Sequence, residues 1–303
     1  MSGPEISSVE RFEQLRQLGG DAAIRGDYVE SLEFHQEALA WAEQYGERED
    51  VLLATCNVSA IRVALGDGEQ VLATLKKVLM ASGRLHSRFL AANSLAQYYE
   101  LTEDVEKMTF YGRVALDNAR RSGIDAAIAQ SLNQLANGEL ACSRFDDARG
   151  YYIEALEVLG DTNSREGAAI LTNLGYCQLI LGQHKEAFKT LFRCRRMVRQ
   201  LPHEVPFICQ IHLDFCYAYL EVDRLDRAYR YGLSALEIAE EQGCEKQIKN
   251  CLFLLGEVTK VAGESYEAFS YFSRLQREFY PDNGMVSHFL MTTDVRPLVN
   301  LRA

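Results

Sequence analysis

The chain has 303 residues, 48% hydrophobic and 25% charged, enough apolar material to order a core, so general disorder is excluded. A net charge of −11 argues against a general nucleic-acid binder or a protein of anionic membrane surfaces. No run approaches about 18 apolar residues, and the opening MSGPEISSVERFEQL has neither a basic n-region nor an apolar h-region, so neither a membrane span nor a secretory signal is expected.

The predicted elements are helices in pairs, a first helix A and a second helix B. In chain order the pairs lie near 9–25 and 28–45, 48–65 and 68–82, 85–101 and 105–122, and 125–142 and 145–159. Three more follow near 164–181 and 184–200, 204–221 and 225–242, and 245–262 and 265–279. Glycines punctuate them. Gly26, Gly66, Gly182 and Gly263 close A helices, while Gly46, Gly83, Gly123, Gly160 and Gly243 close B helices, with Pro202 at the corresponding place in the fifth.

The pairs are copies of one pattern. Each B helix carries an anchor, in turn Ser31, Val71, Met108, Ala148, Ala187, Ala228 and Ala268, spaced 37 to 41 residues apart. Twelve residues before each anchor sits a second, mostly small residue: Gly19, Ser59, Ala96, Ala136, Gly175, Cys216 and Gly256. An apolar partner precedes it: Leu18, Val58, Leu95, Leu135, Leu174, Phe215 and Leu255. Helices that cross closely need small side chains where their backbones approach and apolar neighbours around them, so each repeat has one A–B contact point. A period near 40 is too long for one helix and right for two with short turns.

The copies GDYVESLEFHQEAL, SRFDDARGYYIEAL and DRLDRAYRYGLSAL, with the Leu-Gly pairs and the small–aromatic–small spacing, resemble the tetratricopeptide repeat. The resemblance runs from about Gly19 to Phe279 and departs from the family in its longer period and in glycine replacing most inter-repeat prolines. It implies an all-α, right-handed superhelical solenoid of seven repeats spanning 9–280, with A helices on the concave side. A tail at 1–8 precedes it, and a non-repeat segment at 281–303 follows as a cap or a linker. Met285, Phe289, Leu290 and Leu298 are expected to seal the seventh repeat.

Aligning the A helices selects side chains for the concave face: Asn93 and Gln97 with Glu100, Gln130, Asn133 and Asn137, Tyr176 beside Thr172, Gln210 and Tyr217 with Leu213, and Asn250 and Phe253 with Glu257. Amides donate and accept at once, which suits gripping a peptide backbone, and aromatic rings add rigid contact area. The same amides would also serve to solvate a concave surface. The family's carboxylate clamp needs Lys or Arg beside Asn on successive A helices, and Arg16 is the lone basic residue so placed. With Glu100, Glu221 and Glu257 near the groove, the expected partner is a neutral or basic protein or peptide.

These features favour a peptide- or protein-binding scaffold. Two alternatives stand beside it: a ligand- or peptide-sensing module that controls an output domain, and a self-assembling structural protein stacking through terminal repeats. Lys185, Lys189, Arg193 and Arg196 form a basic stripe on one B helix, read as a solvated face or an acidic-partner dock.

Catalytic patterns are missing. The sequence has no phosphate-cradling glycine motif, nucleophile elbow or HExxH, and its six histidines do not cluster with its eight cysteines at ligand spacing. An enzyme, a metal site, a cofactor and a nucleic-acid or membrane partner are not expected. The cysteines read as small buried hydrophobes of a reducing, cytoplasmic protein, and His35 as a packing residue at the aromatic site of repeat one.

Overall fold

A computed structural model describes residues 8–201 and 208–302. Among them are fifteen α-helices, two 3-10 turns and no strand. The first four pairs are α1 (Ser8–Arg25) and α2 (Tyr28–Tyr45), α3 (Arg48–Ala64) and α4 (Leu72–Ala81), α5 (Leu85–Leu101) and α6 (Val105–Ser122), and α7 (Asp125–Ala141) and α8 (Phe145–Leu159). A 3-10 turn at Gly68–Val71 opens the second B helix. The last three pairs are α9 (Arg165–Ile180) and α10 (His184–Val198), α11 (Ile208–Glu221) and α12 (Leu225–Gln242), and α13 (Glu245–Val261) and α14 (Ser265–Phe279). Then come α15 (Val286–Thr292) and a 3-10 turn at Arg296–Leu298. Pro202, the start of the sixth A helix and the expected tail up to Ser7 lie outside the described residues.

The chain divides into two compact units: the first comprises residues up to 139 with 157–159, the second 140–156 and 160 onward. Within each, the same A–B contact recurs. All seven anchors are buried. In the first unit, Ser31 Oγ donates to the Gly19 carbonyl at 2.7 Å, and a Cβ at Gly19 would lie 2.7 Å from the His35 ring. In the second unit, Gly175 makes room in the same way for Leu191, and Gly256 for Phe272. His35, Leu191 and Phe272 each stand four residues after an anchor, one turn on, where a helical side chain covers the facing A helix.

Two repeats reverse the arrangement. Gly112 and Gly232 occupy that B-helix position, and a Cβ there would meet Leu135 at 3.1 Å and Leu255 at 2.7 Å, each from the next A helix. Small-against-large complementarity thus joins helices both within and between repeats. Each fully buried leucine so placed contributes on the order of 2 kcal/mol. Leu18 departs from expectation: at 38% exposure it faces outward, and Phe12 and Leu15 fill that part of the first core instead.

Turns from A to B need a left-handed residue. Gly26, Gly66, Gly182 and Gly263 supply it, but Glu103, Ser143 and Asp223 hold φ between 56° and 58° in the other three repeats. Each of these side chains costs about 1 kcal/mol that glycine would not.

Helix α15 packs on α14, where the Ser287 amide and hydroxyl donate to Gln276, but three of the four residues expected to seal the seventh repeat are exposed. Leu290 on α15 is buried, but Met285, Phe289 and Leu298 are 64%, 53% and 82% exposed. The buried apolar residues beyond α15 are Val295 and Leu301. What holds this segment is largely polar.

Candidate functional site

After α15 the chain turns back across the A helices of the second unit. Lys260 Nζ on α13 donates to the Leu290 and Thr293 carbonyls at 2.8 and 3.1 Å and pairs with Glu257 at 2.6 Å. Arg296 then lies 3.4 Å from Glu257 and 3.8 Å from Glu221 on α11. Glu257 is fully buried, and burial raises its carboxyl above the usual range against the pull of Lys260 and Arg296.

The last described residues are gripped most closely. The Leu301 amide donates to Tyr176 Oη at 2.9 Å, and the Leu301 carbonyl accepts from Asn250 at 2.9 Å. Asn300 donates to the Leu140 carbonyl at 2.8 Å and to Ser143 Oγ at 3.1 Å. Arg302 makes a two-pronged contact, its Nη2 lying 2.8 Å from both oxygens of Asp214. Its Nε donates to Asn173 at 3.1 Å, and its guanidinium sits 4.4 Å from the Tyr176 ring centroid.

Asp214 is the centre of this arrangement. It lies on α11 with no solvent exposure, inside ICQIHLDFCYAYLE, where the apolar neighbours drive the helix inward. Burial pushes its carboxyl up to about 6, opposed by Arg302 and by Gln210, which donates at 3.4 Å. Among the described residues, Arg302 is the one cation at ion-pair distance from it. Tyr176, also fully buried, is pushed up to about 12 by the same loss of solvent, so its hydroxyl stays protonated. A cavity of about 680 Å3 opens beside the segment, walled by Phe145, His184, Tyr217, Glu221 and Arg296.

Of the residues selected from sequence, the second unit places Tyr176, Gln210 and Asn250 on this segment or on the Asp214 that binds it, and Tyr217 stands beside it with its ring 6.3 Å from that of Tyr176. Phe253 is buried in α13. Asn93, Gln97, Gln130, Asn133 and Asn137 belong to the first unit. There Asn137 and Gln134 both donate to Glu100, the Asn93 and Asn133 amide oxygens are buried without a hydrogen-bond partner, Gln97 is half-buried and Gln130 is exposed. Sequence reasoning missed Asp214, Asn173, Asn300 and Arg302. A lone acid in the apolar run of α11 was a readable signal; the path of the returning segment was not.

The basic stripe of α10 is solvent-exposed, apart from an Arg193 bond to Thr162 at 2.7 Å and a Lys189–Glu186 pair at 4.0 Å. Six of the eight cysteines are buried, whereas Cys142 is exposed and Cys244 half-buried. Among the described residues, no three His, Cys, Asp or Glu side chains converge as metal ligands, and no helix is long and apolar enough to cross a membrane.

The family model for the tetratricopeptide repeat matches residues 127–200, which cover the fourth and fifth helix pairs. Residues 127–200 are thus similar to the tetratricopeptide repeat. Solved structures of helical-repeat proteins extend the likeness to the remaining pairs. NprR in complex with its cognate peptide NprX is similar over 96% of this chain and 83% of its own, with 13% identity and a TM-score of 0.69. The Rap protein complexed with Competence and Sporulation Factor is similar over 90% and 76%, with 12% identity and a TM-score of 0.64. A signal-transduction ATPase with a tetratricopeptide-repeat sensor, from Pyrococcus horikoshii, matches 96% of this chain but 46% of its own length, with 16% identity and a TM-score of 0.65. At these identities the likeness is one of fold. No curated protein sequence matches the chain.

Proposed function

We propose that this chain is a tetratricopeptide-repeat protein throughout and a peptide- or protein-binding scaffold whose groove is the A-helix face of the second unit, lined by Tyr176, Gln210, Tyr217, Asn250 and Phe253. One observation carries the reading: that face already holds a stretch of polypeptide. Tyr176 and Asn250 grip the main chain of Leu301 from both sides, and such contacts are indifferent to the side chain they flank. The likeness to NprR and Rap, each solved with a bound peptide or factor, supports the same use of a shared scaffold. Asp214, Glu221 and Glu257 make a neutral or basic partner the better fit.

A second reading, a peptide-sensing module, has its own support. Because the groove is filled by residues 293–302, an incoming peptide must displace them, so binding and a change in that segment are linked. Selection of a random-peptide library on the full chain tests the groove. Enriched peptides should lose most of their affinity for Asn250→Ala or Asn173→Ala chains that retain helical circular dichroism. Equal binding to parent and both variants would remove the groove from the account.

A further inference from the structure

The buried carboxylate beneath the returning segment has a chemistry more specific than peptide binding in general. We propose that Asp214, with Asn173 and the Tyr176 ring, is a receptor for an arginine side chain of a partner peptide, and that Arg302 fills it as an internal stand-in. This rests on the groove reading above and adds what the groove selects.

The receptor is built for a guanidinium. Two carboxylate oxygens, an amide oxygen and an aromatic face converge on one planar cation, which Lys could not satisfy at all points. A carboxylate with no exposure is costly unless paired, and among the described residues the helices of this unit supply no cation to pair it. The partner comes instead from a segment outside the helical repeats.

That segment has the marks of an exchangeable occupant. Its hold is mainly polar, Leu298 and Pro297 stand in solvent, and a cavity remains open alongside. Nor is its fit complete, because Arg302 Nη1 is buried with no acceptor. A second acidic station, Glu257 with Glu221, holds Arg296 six residues earlier. The preferred ligand is therefore a peptide with an arginine for Asp214, strengthened by a second arginine six residues before it.

The probe is a fluorescein-labelled peptide of the segment itself, TDVRPLVNLR, read by anisotropy against the full chain. The parent, with its groove occupied, should bind weakly, and the Arg302→Ala chain about tenfold more tightly. Replacing the last arginine of the peptide by citrulline, a neutral isostere, should weaken binding to the Arg302→Ala chain about tenfold, as should adding Asp214→Asn to that chain. Equal binding of the arginine and citrulline peptides would overturn the proposal, as would no binding to a folded Arg302→Ala chain.

Should that variant not fold, the parent decides. Excess arginine peptide, but not citrulline peptide, should raise amide exchange across 293–302, and no such difference would equally overturn the assignment. Library peptides that need Asn250 yet carry no arginine would leave the groove standing and remove the arginine receptor alone.

Discussion

Replacing Arg302 by Ala removes two bonds to Asp214, one to Asn173 and the cation over Tyr176, and leaves Asp214 with Gln210 as its remaining bond partner at 3.4 Å. Stripping one partner from a buried ion pair typically costs about 3 to 5 kcal/mol, because the surviving charge has lost both water and counter-ion. Here the protein has an escape: residues 293–302 can lift away and let water reach the carboxylate. The loss is then capped at the free energy that docks the segment, and the site opens. Both routes share one signature, faster amide exchange in 293–302 with little change in the first unit, since repeat arrays couple locally. A double-mutant cycle with Asp214→Asn, read by denaturant unfolding, isolates the pair and should return a coupling above about 1.5 kcal/mol. Coupling below about 0.5 kcal/mol, together with unchanged exchange in the segment, would refute the reasoning.

Tyr176→Phe keeps the ring beneath Arg302 but deletes the hydroxyl that accepts from Leu301; proteolysis of the segment should quicken, matching a loss of about 1 kcal/mol, while overall helix content stays the same. Gly256→Ala puts a methyl group into the Phe272 ring, so α13 and α14 should lose stability by about 1 to 3 kcal/mol, visible as a lower urea midpoint; an unchanged midpoint would mean the ring can yield. His35 is lowered from 6.5 to about 4, chiefly by burial and further by Arg16, so its neutral form is favoured in the fold. Its contribution is full above pH 6.5 and is lost as pH falls toward 4, on the order of 3 kcal/mol, and His35→Leu should flatten that acid limb in a pH series of melting curves.

The helical framework was legible because it repeats. Gly19, Gly175 and Gly256 each stand twelve residues before an anchor, and a pattern obeyed seven times by small and large residues leaves few other ways to pack. The groove was half legible. Tyr176, Gln210 and Asn250 follow from aligning the A helices, since face position is a matter of helical phase. Asn93, Gln97, Gln130, Asn133 and Asn137 share that phase, but phase alone says nothing of what rests on the face. The returning segment has no periodicity, and its hold on the groove depends on single polar residues: Asn300, Leu301 through its backbone, and Arg302. Expecting Met285, Phe289 and Leu298 to be buried followed from their hydrophobicity, whereas the segment is tied down by ion pairs and amides.

The Leu301 amide offers the most direct test of a peptide-holding groove, because it points at Tyr176 Oη at 2.9 Å and reports occupancy of the site by one hydrogen bond. Its exchange, followed by nuclear magnetic resonance in the nitrogen-labelled full chain, should be slowed well below the random-coil rate. Titration with an arginine-bearing peptide should then release it while the amides of α9, α11 and α13 stay protected. Free exchange of Leu301 in the absence of any peptide, or continued protection while a peptide binds, would contradict the account.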